Sequence, residues 1–357
     1  MTKRFTVLTL LALAPAAGAQ TPTPDEATDP KQLAVGKEGF FRPGALLQGW
    51  YFADVVSDDP DATINAFRVR RAELSVRGEI LPKQVAYRVM IDPAKVLEVR
   101  SVDVVDDAGD TVTVKEPADK LSVFQDFYVT FLSDFADVSL GQFKIPVSWE
   151  GYNSSSKLLL PERAQVARDY GDKRDLGLRV EKSFTYLGYS AGIFNGSELN
   201  NREVDDAKDF GLRLEAYPIE GLVVAGVVYA TLMERDTAKK DRFEGDVRYE
   251  RGPFLLQSEF IAANDSGTKA SGLYGALGWT FLGKLQPVVR VGMIDPDTDS
   301  NLAPATQKDK DEAVIIEGGL NYFLQKHESK LQLAVSRFEY DDKDPVTTVI
   351  ASAQVSF

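Results

Sequence analysis

Three observations predict an all-β chain folded as a 16-stranded antiparallel transmembrane β-barrel with short periplasmic turns and long extracellular loops. They are a succession of period-two segments, connections that alternate long and short, and a closing strand that ends on an aromatic residue. The segments come first. Val85–Val89, Phe210–Leu214, Phe243–Tyr249, Pro287–Val291 and Thr347–Phe357 set charged or polar residues between apolar ones, so each strand has one greasy and one polar face. Sixteen such segments lie near 44–54, 65–80, 83–92, 121–132, 136–148, 174–184, 186–194, 209–217, 221–232, 243–250, 253–263, 271–281, 284–294, 313–324, 329–340 and 346–357. Beyond the first segment of the chain, no stretch shows a comparably long 3.6-residue period.

The connections carry the second argument. Long ones cover about 55–64, 93–120, 149–173, 195–208, 233–242, 264–270, 295–312 and 341–345. Short ones lie between them, at Leu81-Pro82, Ser133–Phe135, Thr185, Pro218–Glu220, Arg251-Gly252, Leu282-Gly283 and Gln325–Glu328. A secreted soluble sandwich would show the same alternation within strands, but has no reason to gather its long loops at one end. Outer-membrane barrels do so, and an even strand number returns both termini to the periplasmic side. In the last strand Val349, Ala351, Ala353, Val355 and Phe357 form one apolar row, with Thr348, Ser352, Gln354 and Ser356 opposite. The terminal Phe357 has the character of an assembly signal read by the barrel-assembly machinery. Trp50-Tyr51-Phe52, Tyr186, Tyr217, Trp279-Thr280-Phe281 and Tyr322-Phe323 sit near strand ends, where interface girdles are expected.

Composition removes most other classes. The 357 residues carry 41 Lys+Arg against 54 Asp+Glu, a formal charge of −13, one histidine and no cysteine. Disulfide scaffolds, zinc fingers and thiol nucleophiles are therefore excluded, and no metal or cofactor site is expected. An acidic chain without clustered Lys/Arg is a poor nucleic-acid ligand. Residues 1–19 read as a signal peptide: Lys3 and Arg4, an apolar Phe5–Ala14, then Ala17-Gly18-Ala19. Residues 20–40 are expected to be a flexible periplasmic lead-in, and 41–357 the barrel of a protein localised to the Gram-negative outer membrane.

Several stretches resemble the phosphate-selective porins O and P of Gram-negative outer membranes. They are Phe67-Arg68-Val69-Arg70-Arg71-Ala72-Glu73-Leu74, Leu140-Gly141-Gln142-Phe143-Lys144-Ile145-Pro146, Ser154-Ser155-Ser156-Lys157 with Pro161-Glu162-Arg163, Arg174-Asp175-Leu176-Gly177, Ile193-Phe194-Asn195-Gly196, Gly252–Phe260 and Gly319–Phe323. They follow one another in the family's order across most of residues 40–357. The resemblance implies a 16-stranded porin, and trimerisation rests on it alone.

A barrel of this strand number encloses an aqueous channel, so function depends on lumen charges and on any loop that narrows the lumen. If apolar residues face lipid, then Arg68, Arg70, Arg88, Arg179, Arg213, Arg248 and Arg290 face the lumen as an anion path. Arg71 joins them if the Arg70-Arg71 pair sits at a β-bulge, which leaves open which of the two enters. Acids share that phase: Glu73, Asp92, Asp126, Glu181, Glu215, Asp246, Glu250 and Glu317. Arg248 with Asp246 and Arg213 with Glu215 are two apart, which favours local pairing and a mixed-charge lining. The third long loop, 149–173, is the expected constriction, with Lys157, Arg163, Arg168 and Lys173 against Glu150, Glu162, Asp169 and Asp172. The second, 93–120, reads as a hairpin extension above the barrel or a strap onto a neighbouring subunit. Acids gather in the outer loops, where divalent cations could bridge them to lipopolysaccharide. Asp295-Pro-Asp297-Thr-Asp299 lacks the glycine and distal glutamate of a calcium loop. The expected function is passage of small hydrophilic solutes, anions included. Two other classes compete: a lipase-like barrel enzyme, for which His327 is badly placed in a short turn, and a plugged structural or adhesin barrel.

Overall fold

The computed structural model describes residues 32–36, 39–56, 63–97, 99–105, 111–117, 122–201, 203, 206–232, 239–298, 312–341 and 344–357. The signal-peptide segment lies outside them. Sixteen strands form the wall. The first eight are β1 Gly39–Val56, β2 Ile64–Leu81, β3 Val85–Ile91, β4 Phe124–Phe131, β5 Asp137–Lys144, β6 Arg174–Ser183, β7 Leu187–Phe194 and β8 Asp209–Ala216. The second eight are β9 Leu222–Thr231, β10 Lys240–Arg251, β11 Phe254–Asp265, β12 Thr268–Trp279, β13 Leu285–Asp295, β14 Ala313–Gln325, β15 Ser329–Tyr340 and β16 Val346–Ser356. Each pairs antiparallel with the next, and β16 pairs antiparallel with β1 from Val346↔Val56 to Ser356↔Leu46. The sheet closes, which leaves no lipid-exposed edge of unpaired backbone groups.

Period two decides which side meets lipid. On β14, Val314, Ile316, Leu320, Tyr322 and Leu324 are exposed, while Ala313, Ile315, Glu317 and Asn321 are buried inside. The closing strand behaves alike: Ala351, Ala353 and Val355 face out, Ser352 and Gln354 in. Phe357 exchanges both backbone hydrogen bonds with Ala45, at 3.1 and 3.2 Å. Inside that seam Gln48 Nε2 donates to Gln354 Oε1 at 2.7 Å.

Several expectations need correction. Within the segment expected as lead-in, Leu33–Val35 pairs back onto Gly39–Phe41, while residues 20–31 lie outside the described residues. The segment expected as a strand over 136–148 leaves the wall at Lys144, since Pro146 cannot donate to a ladder and Ile145–Val147 turn inward. The outer connection at 264–270 is a two-residue turn, because Ser266 (φ 53°) and Gly267 (φ 100°) close β11 directly onto β12. Loop lengths therefore do not alternate throughout. Trp50, Tyr217 and Phe323 are buried and cannot serve in a lipid girdle; Tyr51, Tyr186, Trp279 and Phe281 remain exposed. In the 93–120 connection, Val99–Val105 pairs with Thr111–Pro117 as a separate two-stranded sheet.

Candidate functional site

The loop between β5 and β6, residues 145–173, lies inside the barrel. Its short helices are α1 Trp149–Tyr152 and α2 Gln165–Tyr170. Leu158, Leu159 and Leu160 are consecutive and all buried, against the habit of solvated loops. Leu159 and Leu160 join Ala164, Val166 and Ala167 in a cluster with Leu255, Ile261, Tyr274, Ala276, Val288 and Ala334 of β11–β15. Burying one leucine contributes about 1.5–3 kcal/mol, so the leucines alone hold the loop firmly. Small wall residues make room: a Cβ on Gly319 would stand 2.4 Å from Leu160 Cδ2, and one on Gly272 2.8 Å from Val166 Cγ2.

Carboxylates of the wall complete the docking. Ser148, at φ 66°, is a left-handed non-glycine residue and costs about 1–3 kcal/mol. It is held because its Oγ donates to Glu259 Oε1 (2.6 Å) and its N–H to Glu244, while Trp149 N–H donates to Glu259 Oε2 (2.7 Å). Further along, Lys330 Nζ donates to Leu158 O (2.8 Å), Asn321 Nδ2 to Leu159 O (2.8 Å) and Gln354 Nε2 to Ser156 O (3.1 Å). Ser155 Oγ reaches Glu73 of β2 at 3.0 Å. The loop thus touches β2 as well as β10–β16.

The bulge resolves the Arg70-Arg71 ambiguity. Gln48 pairs with Arg71 and Gly49 with Val69, so Arg70 is the extra residue. Both enter the lumen and grip one loop carboxylate: Arg70 Nε donates to Glu162 Oε2 at 2.8 Å and Arg71 Nη2 to Glu162 Oε1 at 3.2 Å. Arg71 Nη1 also donates to Gln48 (2.7 Å), and Arg70 stacks over Trp50 at 5.6 Å.

Beside this lies a second cluster. Arg88 Nε and Arg174 Nε approach the two oxygens of Asp126, each at 2.8 Å. Lys144 and Arg163 flank Asp172 at 3.5 and 3.0 Å. Six cations therefore meet the three carboxylates of Asp126, Glu162 and Asp172, with Glu73 beside them on Ser155.

The remaining candidate residues sit differently. Arg213 and Arg290 are 1% and 2% exposed, so they belong to the wall's internal ion pairs and are closed off from solute. Arg213 pairs with Glu215 (2.7 Å) and Asp246 (2.8 Å). Arg290 pairs with Glu317, contacts Glu150 at 3.3 Å and donates to Glu162 O at 3.1 Å. Arg179 is buried beside Phe143 (4.4 Å) and pairs with Glu181 at 2.8 Å. Arg248 stacks on Trp149 (4.5 Å) and pairs with Glu250 (2.7 Å) rather than with Asp246, which Arg213 takes. Arg68 is exposed on the lumen phase. In the loop, Lys157 and Arg168 are exposed, Arg163 is buried, and Lys173 lines a small cleft with Tyr170, Arg174 and Arg242. Sequence reading missed Lys144, Arg174 and Lys330; the first two fall at strand ends, where phase is weakest. Among the described residues no group of three His, Cys, Asp or Glu is gathered as a metal site.

Two loop carboxylates, Glu162 and Asp172, are unusually acidic. Burial raises the pKa of Glu162, but the guanidinium groups of Arg71, Arg70 and Arg168 outweigh it and hold the group well below the usual carboxylate range. For Asp172, burial is likewise outweighed by Arg163, Lys144 and Arg174. A carboxylate whose folded pKa is depressed contributes stability that is full above its unfolded value of about 4 and is lost as pH falls through the folded value. Glu162 and Asp172 are therefore expected to stay ionised from neutral pH to about pH 4.5, and the loop to loosen through their protonation only under stronger acid. A conductance step between about pH 4.5 and 7 that disappears in Glu162→Gln contradicts this.

A closed sixteen-strand barrel, apolar outside, charged inside, with a loop folded into its lumen, is a porin: a passive channel of the Gram-negative outer membrane. The sequence profile of phosphate-selective porin O and P matches residues 48–250, more than half of the chain, and the chain belongs to that family. No curated protein sequence matches it. Among solved structures, Salmonella typhi OmpF in complex with daunomycin is similar over 91% of this chain and 100% of that one (TM-score 0.64, 10% identity). The anion-selective porin from Comamonas acidovorans is similar over 90% and 100% (TM-score 0.60, 11% identity). Outer-membrane expressed OmpT of Vibrio cholerae is similar over 91% and 99% (TM-score 0.61, 10% identity). At these identities the likeness is one of fold.

Proposed function

We propose that the channel is water-filled, admits small hydrophilic solutes and prefers anions, phosphate among them. The surplus of cations where the 149–173 loop narrows the lumen carries this reading: two guanidinium groups share Asp126, and two more share Glu162. Arg88 and Arg174 present forks to a passing anion and replace hydration oxygens, while Asp126 keeps either from trapping it. The family's description as phosphate-selective supports the same preference. A homotrimer is the assembly we infer, supported by the similar Vibrio cholerae OmpT solved in a trimer form (TM-score 0.54, 9% identity). Outer-membrane lipid and lipopolysaccharide surround the barrel in this reading, and the assembly machinery reads Phe357.

The protein is a channel and not an enzyme in this reading. A lipase-like mechanism would rest on His327, whose ring lies against Phe323 (5.4 Å) in the turn between β14 and β15. Burial, with Lys330, Arg248 and Lys157 nearby, lowers its pKa to about 4, too weak a base for neutral conditions.

Planar-bilayer recording across a salt gradient tests the proposal. The expected reversal potential marks anion preference, and Arg88→Ala and Arg174→Ala each reduce the anion-to-cation permeability ratio several-fold. Cation preference in the unaltered protein overturns the anion reading. Absence of conducting steps overturns the channel in favour of a plugged barrel.

A further inference from the structure

Tight turns at the outer and inner ends of the barrel both use two successive left-handed residues, with opposite side chains. On the outer end Ser266 and Gly267 take φ 53° and 100°; on the inner end Leu282 and Gly283 take φ 50° and 67°. Left-handed backbone at the first position favours Asn, Asp or Gly, so a leucine there is strained. Leu282 is also 100% exposed. In water it would suffer both penalties, while serine satisfies the outer turn.

Leu282 is one of a set. Of the seven inner connections, five carry a large apolar side chain at or beside the tip: Leu81, Phe135 (77% exposed), Tyr186, Ile219 and Leu282. This surface is continuous with the lipid-facing wall, because Ile80, Phe131, Leu187 and Phe281 are exposed next to the tips. Two turns repeat one pattern, Leu81-Pro82-Lys83 and Leu282-Gly283-Lys284, with an exposed lysine beyond the apolar tip. An apolar tip followed by a cation fits the boundary of acyl chains and phosphate headgroups.

We propose that the inner rim is immersed in the headgroup layer of the periplasmic leaflet, with its turn tips as lipid anchors. The wall's established contact with lipid extends over the rim, and the occupant is the lipid itself rather than a periplasmic protein.

The chain has no cysteine, so single labels are unambiguous. Nitroxide labels at Leu282→Cys and Phe135→Cys are compared with Ser266→Cys in vesicles of phosphatidylethanolamine and phosphatidylglycerol. Bilayer conductance identifies folded channels, and Ile219→Cys replaces a variant that does not fold. The expected result is that inner-rim labels collide several-fold more with oxygen, relative to a soluble nickel chelate, than the Ser266 label. Equal access of the chelate to labels at 282 and 266 overturns the proposal. Shielding that appears in native outer membranes but not in pure lipid vesicles also overturns it, because the cover is then another protein.

Discussion

Glu162→Gln is expected to move the reversal potential toward stronger anion selectivity while lowering thermal stability. Glu162 bridges Arg70 (2.8 Å) and Arg71 (3.2 Å). Gln keeps the volume and one acceptor but removes the charge. Two guanidinium groups then face the lumen without this shared counter-charge, and more of their field reaches passing ions. Removing one partner of a buried pair costs about 3–5 kcal/mol, because the remaining charge stays desolvated. The backbone oxygen of Glu162 still accepts from Arg290 at 3.1 Å, so the loop keeps part of its docking. Bilayer recording and thermal melting of one preparation check both effects. Unchanged selectivity removes Arg70 and Arg71 from the ion path.

Arg290→Met is expected to act mainly on the loop. Arg290 sits between Glu317 of the wall and Glu150 of α1, with Nη2 donating to Glu317 Oε1 at 2.9 Å. Met fills the space without charge, which strands two carboxylates in a site of low polarity. Their loss of compensation costs about 3–5 kcal/mol. Glu150 still accepts from Ala164 N–H (2.7 Å) and Gln257 (3.1 Å), so the barrel survives while the loop loosens. The readout is larger and noisier single-channel conductance with a lower melting temperature. Arg290→Lys restores the charge but not the fork, and an intermediate result is expected. Conductance identical to the parent means the loop is held without this bridge.

Much of the wall is legible in the sequence because lipid imposes a strict rule: every second residue must be apolar and all backbone groups paired. Val314, Ile316, Leu320 and Tyr322 against Glu317 and Asn321 state it plainly. The inside obeys no such rule. Phase tells that Arg213 and Arg290 point inward, but not that a loop and a carboxylate network cover them. The clues were present in another form. Leu158-Leu159-Leu160 is an apolar run where a solvated loop has none, and Gly272, Ala276, Gly319 and Ala334 are small residues where a water-filled lumen calls for charge. Read together, they describe a surface shaped for an occupant. The Arg70-Arg71 bulge was visible as a broken alternation, yet both residues entering the lumen depended on Glu162, whose position only the folded loop supplies.

The hydrogen bond between Gln48 and Gln354 joins residues 306 positions apart, and Arg71 and Ser156 extend it into Glu162 and the loop. This edge of the loop's seat is built from both ends of the chain, so it is incomplete while the first and last strands are apart. The grip of Arg71 and Gln354 on the loop is thus expected to form late, with the slow kinetics of a contact between distant ends of the chain. The leucine cluster on β11–β15 needs no ring closure, so the constriction is first seated and then locked when the cylinder completes.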